Sequence, residues 1–139
     1  PLKNLQDADV ICTATSSSRP VLPEIEIPAG VHVNAVGAYR PDMAEIPTTV
    51  VCQSRVVVDH RASALKEAGD LLGPLKQGLI KTTDISTELG DLILGRSTVR
   101  DHRNEVTLFK SVGVAVQDLY AAATALENAR QLGLGIPLP

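Results

Sequence analysis

Three apolar runs in this chain each end in small or polar residues of the kind that bind ligands. These residues are Thr13, Thr15, Ser16 and Ser17 after the first run, Gly37, Ala38, Tyr39 and Arg40 after the second, and Asp59 and His60 after the third. Hydroxyl donors, a glycine that allows close approach and a guanidinium suit a nucleotide together with a small anionic substrate. Because the same residue types form ordinary turns after most strands, both interpretations stay open at this level.

Motifs for several other chemistries are absent. Neither GxGxxG nor GxxxxGKS/T occurs among the 139 residues, so the pyrophosphate of a bound dinucleotide would need a loop elsewhere. Gly133 and Gly135 follow a long helical pattern and are expected to terminate it. The three histidines have no metal-ligand spacing, so no metal site is expected, and no Ser-His-Asp order supports hydrolysis.

The candidate loops need strands that end at a common edge. Continuous apolar character near residues 9–13, 31–36 and 55–59 predicts three strands. Their lack of alternation indicates that both faces are covered, as in a parallel sheet with flanking helices. The predicted fold class is therefore α/β, in which ligands bind beyond the carboxyl ends of the strands.

Three helices are predicted, over residues 62–68, over residues 87–94 and from Ser111 to about Gln131. Gly69 suits the left-handed position after the first helix, and Gly95 ends the second. Ser111 is the predicted N-cap of the long third helix. That helix carries an apolar stripe expected to face a partner surface: Val112, Val116, Leu119, Ala123 and Leu126. Residues 96–105 are expected to form a solvated connection.

Composition excludes some classes of protein. A net charge of -3 has the wrong sign for a general phosphate-backbone binder, and three aromatic residues cannot build stacking platforms for single strands, so no nucleic acid partner is expected. No apolar run reaches the roughly 18 residues of a membrane span. Cys12 and Cys52 lie in apolar runs, which predicts buried free thiols and a cytoplasmic location.

Charged residues around the candidate loops are expected to face solvent. Asp42 and Glu45 follow Pro41 and have the character of turn and capping residues. Lys110 directly precedes the predicted long helix, where a lysine is commonly a surface charge. None of the three is expected to organise a site.

Four sequence blocks occur in an order and spacing specific to one family. They are VNAVGAYRPDMAE at 33–45, ALKEAGD at 64–70, ELGD at 88–91 and TLFKSVGVAVQD at 107–118. The pattern resembles the ornithine cyclodeaminase/mu-crystallin family over essentially the whole chain. The resemblance implies a Rossmann domain that binds NADPH or NADH, a separate substrate and dimerisation domain, and a homodimer.

The resemblance also implies that the chain is only the C-terminal half of such a protein. Residues 1–108 would form the second half of the Rossmann domain, and residues 109–139 the helix that returns to the substrate and dimerisation domain. We expect a chain that starts at Pro1 in this way to begin within a longer protein. Produced alone, it should associate, misfold or require its missing half, because a strand edge and an apolar helix stripe would be exposed. It should also lack catalysis.

Carried over by position, the resemblance implies a set of cofactor-binding residues. Thr13 and Thr15 would lie near the adenosine side, Val36 and Gly37 beside the nicotinamide, and Ser111 and Val112 would close over it. The free N–H groups at the start of the last helix would suit a carboxamide or an anionic substrate group.

Position 39 separates the branches of the family. Cyclodeaminases and related archaeal alanine dehydrogenases carry an aspartate there, expected to act on the substrate amine, whereas this chain has Tyr39. The stretch Ala38–Asp42 instead resembles the ketimine reductases, which implies reduction of Δ1-pyrroline-2-carboxylate or Δ1-piperideine-2-carboxylate to L-proline or L-pipecolate. Tyr39 would line the pocket or donate a proton. Either Arg40 or a basic residue in the missing domain would bind the substrate carboxylate. Ornithine cyclodeamination, alanine-type dehydrogenation and binding without turnover are the alternatives.

Overall fold

The computed structural model describes residues 5–23 and 27–136, which contain five strands and five α-helices. The strands are β1 (Val10–Thr13), β2 (His32–Ala35), β3 (Ser54–Val58), β4 (Thr87–Glu88) and β5 (Val106–Lys110). The helices are α1 (Thr48–Gln53), α2 (Arg61–Glu67), α3 (Gly69–Lys76), α4 (Leu89–Ile93) and α5 (Ala115–Leu132). Short 3-10 turns occupy Leu5–Asp7 and Thr82–Asp84.

All five strands run parallel in the order β1-β2-β5-β3-β4. The register places Thr13, Ala35, Lys110 and Val58 in one row across four adjacent strands. Each of these residues is the last of its strand. The loops that follow β1, β2, β5 and β3 therefore leave the sheet side by side. This arrangement confirms the predicted α/β class and its common edge.

One face of the sheet is packed against helices. Ile11, Val33, Leu108 and Val56 lie in one row of this face and are buried. Helices contribute Val50, Ala64 and Leu71 to the same core. Burial of such apolar side chains is the main favourable term for the fold.

The opposite face of β1 and β2 is more open than predicted. Burial alternates along both strands, so Cys12 is exposed and Asn34 is half-buried. Residues of α4 and the following loop cover only part of this face, beside Phe109 and Val57. The prediction that both faces are covered is thus wrong for β1 and β2. The predicted burial of the thiols is also wrong, since Cys12 and Cys52 are both exposed.

The first predicted helix is present, but the glycine expected to end it has a different role. The helix over residues 62–68 is confirmed as α2, but Ala68 caps it and Gly69 begins the unpredicted helix α3. A Cβ atom at Gly69 would collide with the carbonyl oxygen of Met43 and lie 2.7 Å from that of Arg40. Gly69 is therefore needed for close packing of the loop after β2, and not for a left-handed turn.

Several of the remaining elements differ from those predicted from the sequence. Within the predicted helix at 87–94, Thr87–Glu88 forms the short strand β4 and only Leu89–Ile93 is helical. Helix α1 was not predicted, and neither was β5, which pairs on both sides within the sheet. The predicted solvated connection lies between α4 and β5, and most of its residues are exposed.

The last helix begins later than predicted. It starts at Ala115 with Val114 at its N-cap, so the prediction of Ser111 as N-cap is wrong. Its end at Leu132 with Gly133 in the left-handed conformation (φ 63°) is confirmed. None of its described residues is buried, and its partner surface stays a prediction. No helix in residues 5–23 and 27–136 has the length and apolar character needed to cross a membrane.

Candidate functional site at the carboxyl edge of the sheet

The residues predicted to bind a cofactor lie together at the carboxyl edge of the sheet. Three adjacent strands supply them in lateral order: Thr13 and Thr15 at the end of β1, Val36 and Gly37 after β2, and Ser111 and Val112 after β5. Tyr39 and Arg40 follow in the loop after β2. Placement at one edge agrees with the sequence analysis, while their roles stay predictions.

The carboxylate of Glu45 joins two of these loops. Glu45 is fully buried, so the prediction that it is a solvated charge is wrong. Its oxygens accept hydrogen bonds from Thr13 Oγ1 at 3.1 Å, Thr15 N at 2.5 Å, Gly37 N at 2.7 Å and Ala38 N at 3.2 Å. One side chain therefore fixes the loops after β1 and β2 relative to each other.

The environment of Glu45 favours its ionised form. Burial alone would raise the pKa of this carboxyl group, but hydrogen bonds from Thr15, Gly37 and Thr13 outweigh it. The net result is a pKa below the ordinary value of 4.5. Glu45 is thus a structural carboxylate near neutral pH and not a proton donor.

Asp59 plays a corresponding part for the loop after β5. Its Oδ2 atom accepts hydrogen bonds from Ser111 Oγ at 2.8 Å, Val112 N at 2.9 Å and Gly113 N at 2.8 Å. The other oxygen, Oδ1, accepts one from His60 N at 2.7 Å. Since the Val112 and Gly113 N–H groups already have a protein acceptor, they are not the free donors that a helix starting at Ser111 would offer.

Gly37 lies where the loops after β1 and β2 approach most closely. A Cβ atom there would collide with the backbone N and O atoms of Thr15 and with Oε1 of Glu45. The absence of a side chain is therefore what lets the Gly37 N–H reach the Glu45 carboxylate.

Lys110 and Asp70 form a buried ion pair beneath the same edge. The side chains are both inaccessible to solvent, and Lys110 Nζ lies 3.0 Å from Asp70 Oδ2. Lys110 Nζ also donates to the carbonyl oxygen of Ala35 at 3.2 Å. The prediction of Lys110 as a surface charge is wrong, because the last residue of β5 directs its side chain toward the helix-covered face.

Tyr39 and Arg40 extend into solvent beyond this buried network. The Tyr39 residue is 53% exposed. The Arg40 guanidinium pairs with Asp42 through Nε–Oδ1 and Nη2–Oδ2 contacts of 3.2 and 3.1 Å. Asp42 is exposed as predicted. The two predicted catalytic residues are therefore accessible to a ligand, with Arg40 already neutralised by a neighbour.

Two apolar side chains also lie at this edge. Val36 is 44% exposed, and Val112 packs partly against the core beside it along the edge. In the described part of the chain, no group of three His, Cys, Asp or Glu side chains is arranged to hold a metal ion.

Sequence reasoning did not predict the burial of Glu45, Asp70 and Lys110. A signal existed only for Lys110, because Val106 and Leu108 precede it at the period-2 spacing of one strand face. That spacing places Lys110 on an apolar face, but it does not identify Asp70 as its partner.

Comparison with known proteins finds one matching family profile and several similar proteins. The sequence profile of the ornithine cyclodeaminase/mu-crystallin family matches residues 2–133. A Δ1-pyrroline-2-carboxylate reductase from Bacillus cereus is 43% identical over 136 residues, which are 97% of this chain and 42% of the relative. The mouse ketimine reductase mu-crystallin is 43% identical over 121 residues, 87% of this chain and 36% of the relative.

A solved structure is similar in fold as well as in sequence. It is the Thermococcus litoralis Δ1-pyrroline-2-carboxylate reductase in complex with NADH and L-proline, with a TM-score of 0.89 and 35% identity. The match covers 96% of this chain and 42% of that one. The chain thus spans less than half the length of the relatives it matches.

We predict that Gly37→Ala destabilises the fold by about 1–3 kcal/mol, since the added methyl group forces the loops after β1 and β2 apart. Thermal and urea unfolding will measure this change. Gly90→Ala is the matched control, because a Cβ atom at Gly90 in α4 meets nothing within 4 Å. Equal stability of the Gly37→Ala variant and the parent would show that the two loops can accommodate a methyl group at this position.

We predict that Glu45→Gln removes a pH-dependent contribution to stability. Because the folded pKa lies below 4.5, this contribution is complete above that pH and is lost as the pH falls through the folded pKa. At about pH 7 the variant should lose about 1–3 kcal/mol of unfolding free energy, and the difference from the parent should shrink in acid.

Urea denaturation over a series of pH values measures that difference. Glu67→Gln is the control, since Glu67 lies exposed on α2. A stability difference between the parent and Glu45→Gln that does not change with pH would contradict the assignment of Glu45 as a buried, ionised acceptor.

Proposed function

This chain belongs to the ornithine cyclodeaminase/mu-crystallin family, and we propose that it forms part of an NAD(P)H-dependent reductase of cyclic imino acids. The substrates proposed are Δ1-pyrroline-2-carboxylate and Δ1-piperideine-2-carboxylate, and the products are L-proline and L-pipecolate. The observation that carries the proposal is the similarity to relatives with this named activity, at 43% identity over 97% of the chain. Tyr39 at the branch-specific position supports the same choice.

The residues at the carboxyl edge fit the nicotinamide end of the cofactor. Four backbone N–H groups at this edge already donate to Glu45 or Asp59 and are not available to a pyrophosphate: those of Thr15, Gly37, Val112 and Gly113. Val36 and Val112 would instead contact the uncharged ring, and Thr13 and Thr15 would border the adenosine side. NADPH or NADH supplies the hydride when bound.

The exposed residues after β2 would hold the substrate. Arg40 would bind the substrate carboxylate through a charge-assisted hydrogen bond, for which it must exchange its present partner Asp42. Tyr39 would border the imine or donate a proton to its nitrogen. A carbon–nitrogen double bond that is protonated accepts hydride at carbon, which is the reaction proposed.

The proposal includes the organisation of the whole protein. The described Rossmann-like sheet would be completed by chain outside this sequence, and α5 would return to a substrate and dimerisation domain. Every described residue of α5 is exposed except the half-buried Ala129, and this exposure supports such a packing role. A homodimer in the cytoplasm is the assembly and location proposed.

We predict that the protein that carries this chain oxidises NADPH or NADH when Δ1-pyrroline-2-carboxylate is added. Absorbance of the reduced nicotinamide measures the reaction, and ornithine with NAD+ is the control. Ammonia release that depends on ornithine would overturn the proposal in favour of a cyclodeaminase. Tight NADPH binding without turnover of any cyclic imine would favour a binding protein.

We predict that Arg40→Gln raises the KM for the imino acid about 10- to 100-fold, the loss expected for one charge-assisted hydrogen bond. Asp42→Asn is the matched variant, because it releases the guanidinium and should leave KM unchanged or lower it. Steady-state kinetics with saturating cofactor distinguish these effects. An unchanged KM in Arg40→Gln would assign carboxylate binding to a basic residue outside this chain.

A further inference from the structure

The buried ion pair between Lys110 and Asp70 contacts the backbone at several points of the carboxyl edge. Lys110 Nζ donates to the carbonyl oxygen of Ala35, which also accepts a hydrogen bond from Ser111 N at 3.1 Å. Asp70 Oδ1 accepts hydrogen bonds from Glu45 N at 2.6 Å and Ile46 N at 3.0 Å. The pair thus joins the ends of β2 and β5 to the segment that carries Glu45.

Glu45 extends this connection to the loop after β1. Its backbone N–H is held by Asp70, and its side chain accepts hydrogen bonds from Thr15 N and Gly37 N. A continuous path of polar contacts therefore runs from Lys110 through Asp70 and Glu45 to the two loops. Each of the six residues predicted to contact the cofactor lies within two positions, along the sequence, of Thr15, Gly37 or Lys110 on this path.

Stability alone is a weak explanation for this ion pair. Both side chains are inaccessible to solvent, and removing two charges from water carries a desolvation penalty that often exceeds their attraction. An apolar pair of similar volume would fill the same space at a lower penalty. What an apolar pair cannot do is hold Ala35 O and the N–H groups of Glu45 and Ile46 in fixed positions.

We propose that Lys110 and Asp70 are positioning residues for the nicotinamide dinucleotide site, an inference that rests on the proposed function. They touch neither cofactor nor substrate. Their part is to fix Glu45, and through it the separation of the loops that carry Thr15 and Gly37. A displacement of such loops by about 1 Å is enough to reduce catalysis about 100-fold.

A double variant, Asp70→Ala with Lys110→Met, tests this role. Lys110→Met alone would leave a buried, unpaired carboxylate and risk loss of the fold. The double variant removes both charges together, and it also removes the acceptor of the Glu45 and Ile46 N–H groups. The control is Arg55→Met with Asp101→Ala, which removes an exposed ion pair 2.7 Å apart near the start of β3, away from the carboxyl edge.

Two measurements on the protein that carries this chain give readouts that a purely structural role would not move. Hydrogen exchange without ligand reports on the N–H groups of Thr15, Gly37 and Ala38, which donate to Glu45. Fluorescence titration gives the Kd for NADH and NADPH well below the unfolding temperature. In the double variant we expect faster exchange at those three groups, unchanged exchange at Leu108 in β5, and a Kd raised about tenfold or more.

The outcomes separate this inference from the proposed function. Unchanged exchange at Thr15, Gly37 and Ala38 would overturn the positioning role, and so would faster exchange with an unaltered Kd. In both cases dinucleotide binding by the parent would leave the proposed function intact. If the parent binds neither NADH nor NADPH, the proposed function fails and the inference fails with it.

Discussion

A buried carboxylate that accepts four hydrogen bonds holds the functional edge of this protein together. The loops after β1 and β2 have no regular structure of their own, so their N–H groups need acceptors to be buried at low cost. Glu45 provides those acceptors for both loops at once. Its ionised form is favoured because the donors outweigh the effect of burial on its pKa. The positions of Thr15, Gly37 and Ala38 in these loops depend on that carboxylate.

Three carboxylates each hold a different segment at the carboxyl edge of the sheet. Glu45 fixes the loops after β1 and β2, Asp59 fixes the loop after β5, and Asp70 fixes the segment that carries Glu45. Each is turned toward backbone N–H groups, so its negative charge is not presented to an incoming anion. The same contacts use up the donors that would otherwise bind phosphate. In a chain with a net charge of -3, these carboxylates would therefore not oppose the anionic substrate that is proposed.

The sequence predicted the parts of this structure that depend on local patterns. Apolar runs located β1, β2 and β3, and the rule for parallel sheets located the ligand edge. The contacts that organise the edge could not be predicted in this way. Lys110 and Asp70 are brought together only by the packing of α3 on the end of β5, and each taken alone resembles a surface charge. The strand β5 was missed for a related reason, because Thr107 and Lys110 interrupt its apolar character although both are buried.

The carboxyl edge therefore combines loops held by internal hydrogen bonds with side chains that are accessible to solvent. The hydrogen bonds of Glu45 and Asp59 hold the loops after β1, β2 and β5 within this chain, so the geometry of these loops is preorganised by its own residues. Tyr39 and Arg40, by contrast, are exposed, and Arg40 is held only by its neighbour Asp42. An exposed ion pair of this kind contributes little stability and exchanges partners readily. Rigid loops beneath and an exchangeable cation above would suit the proposed function, in which a cofactor is held firmly while a small anionic substrate enters and leaves.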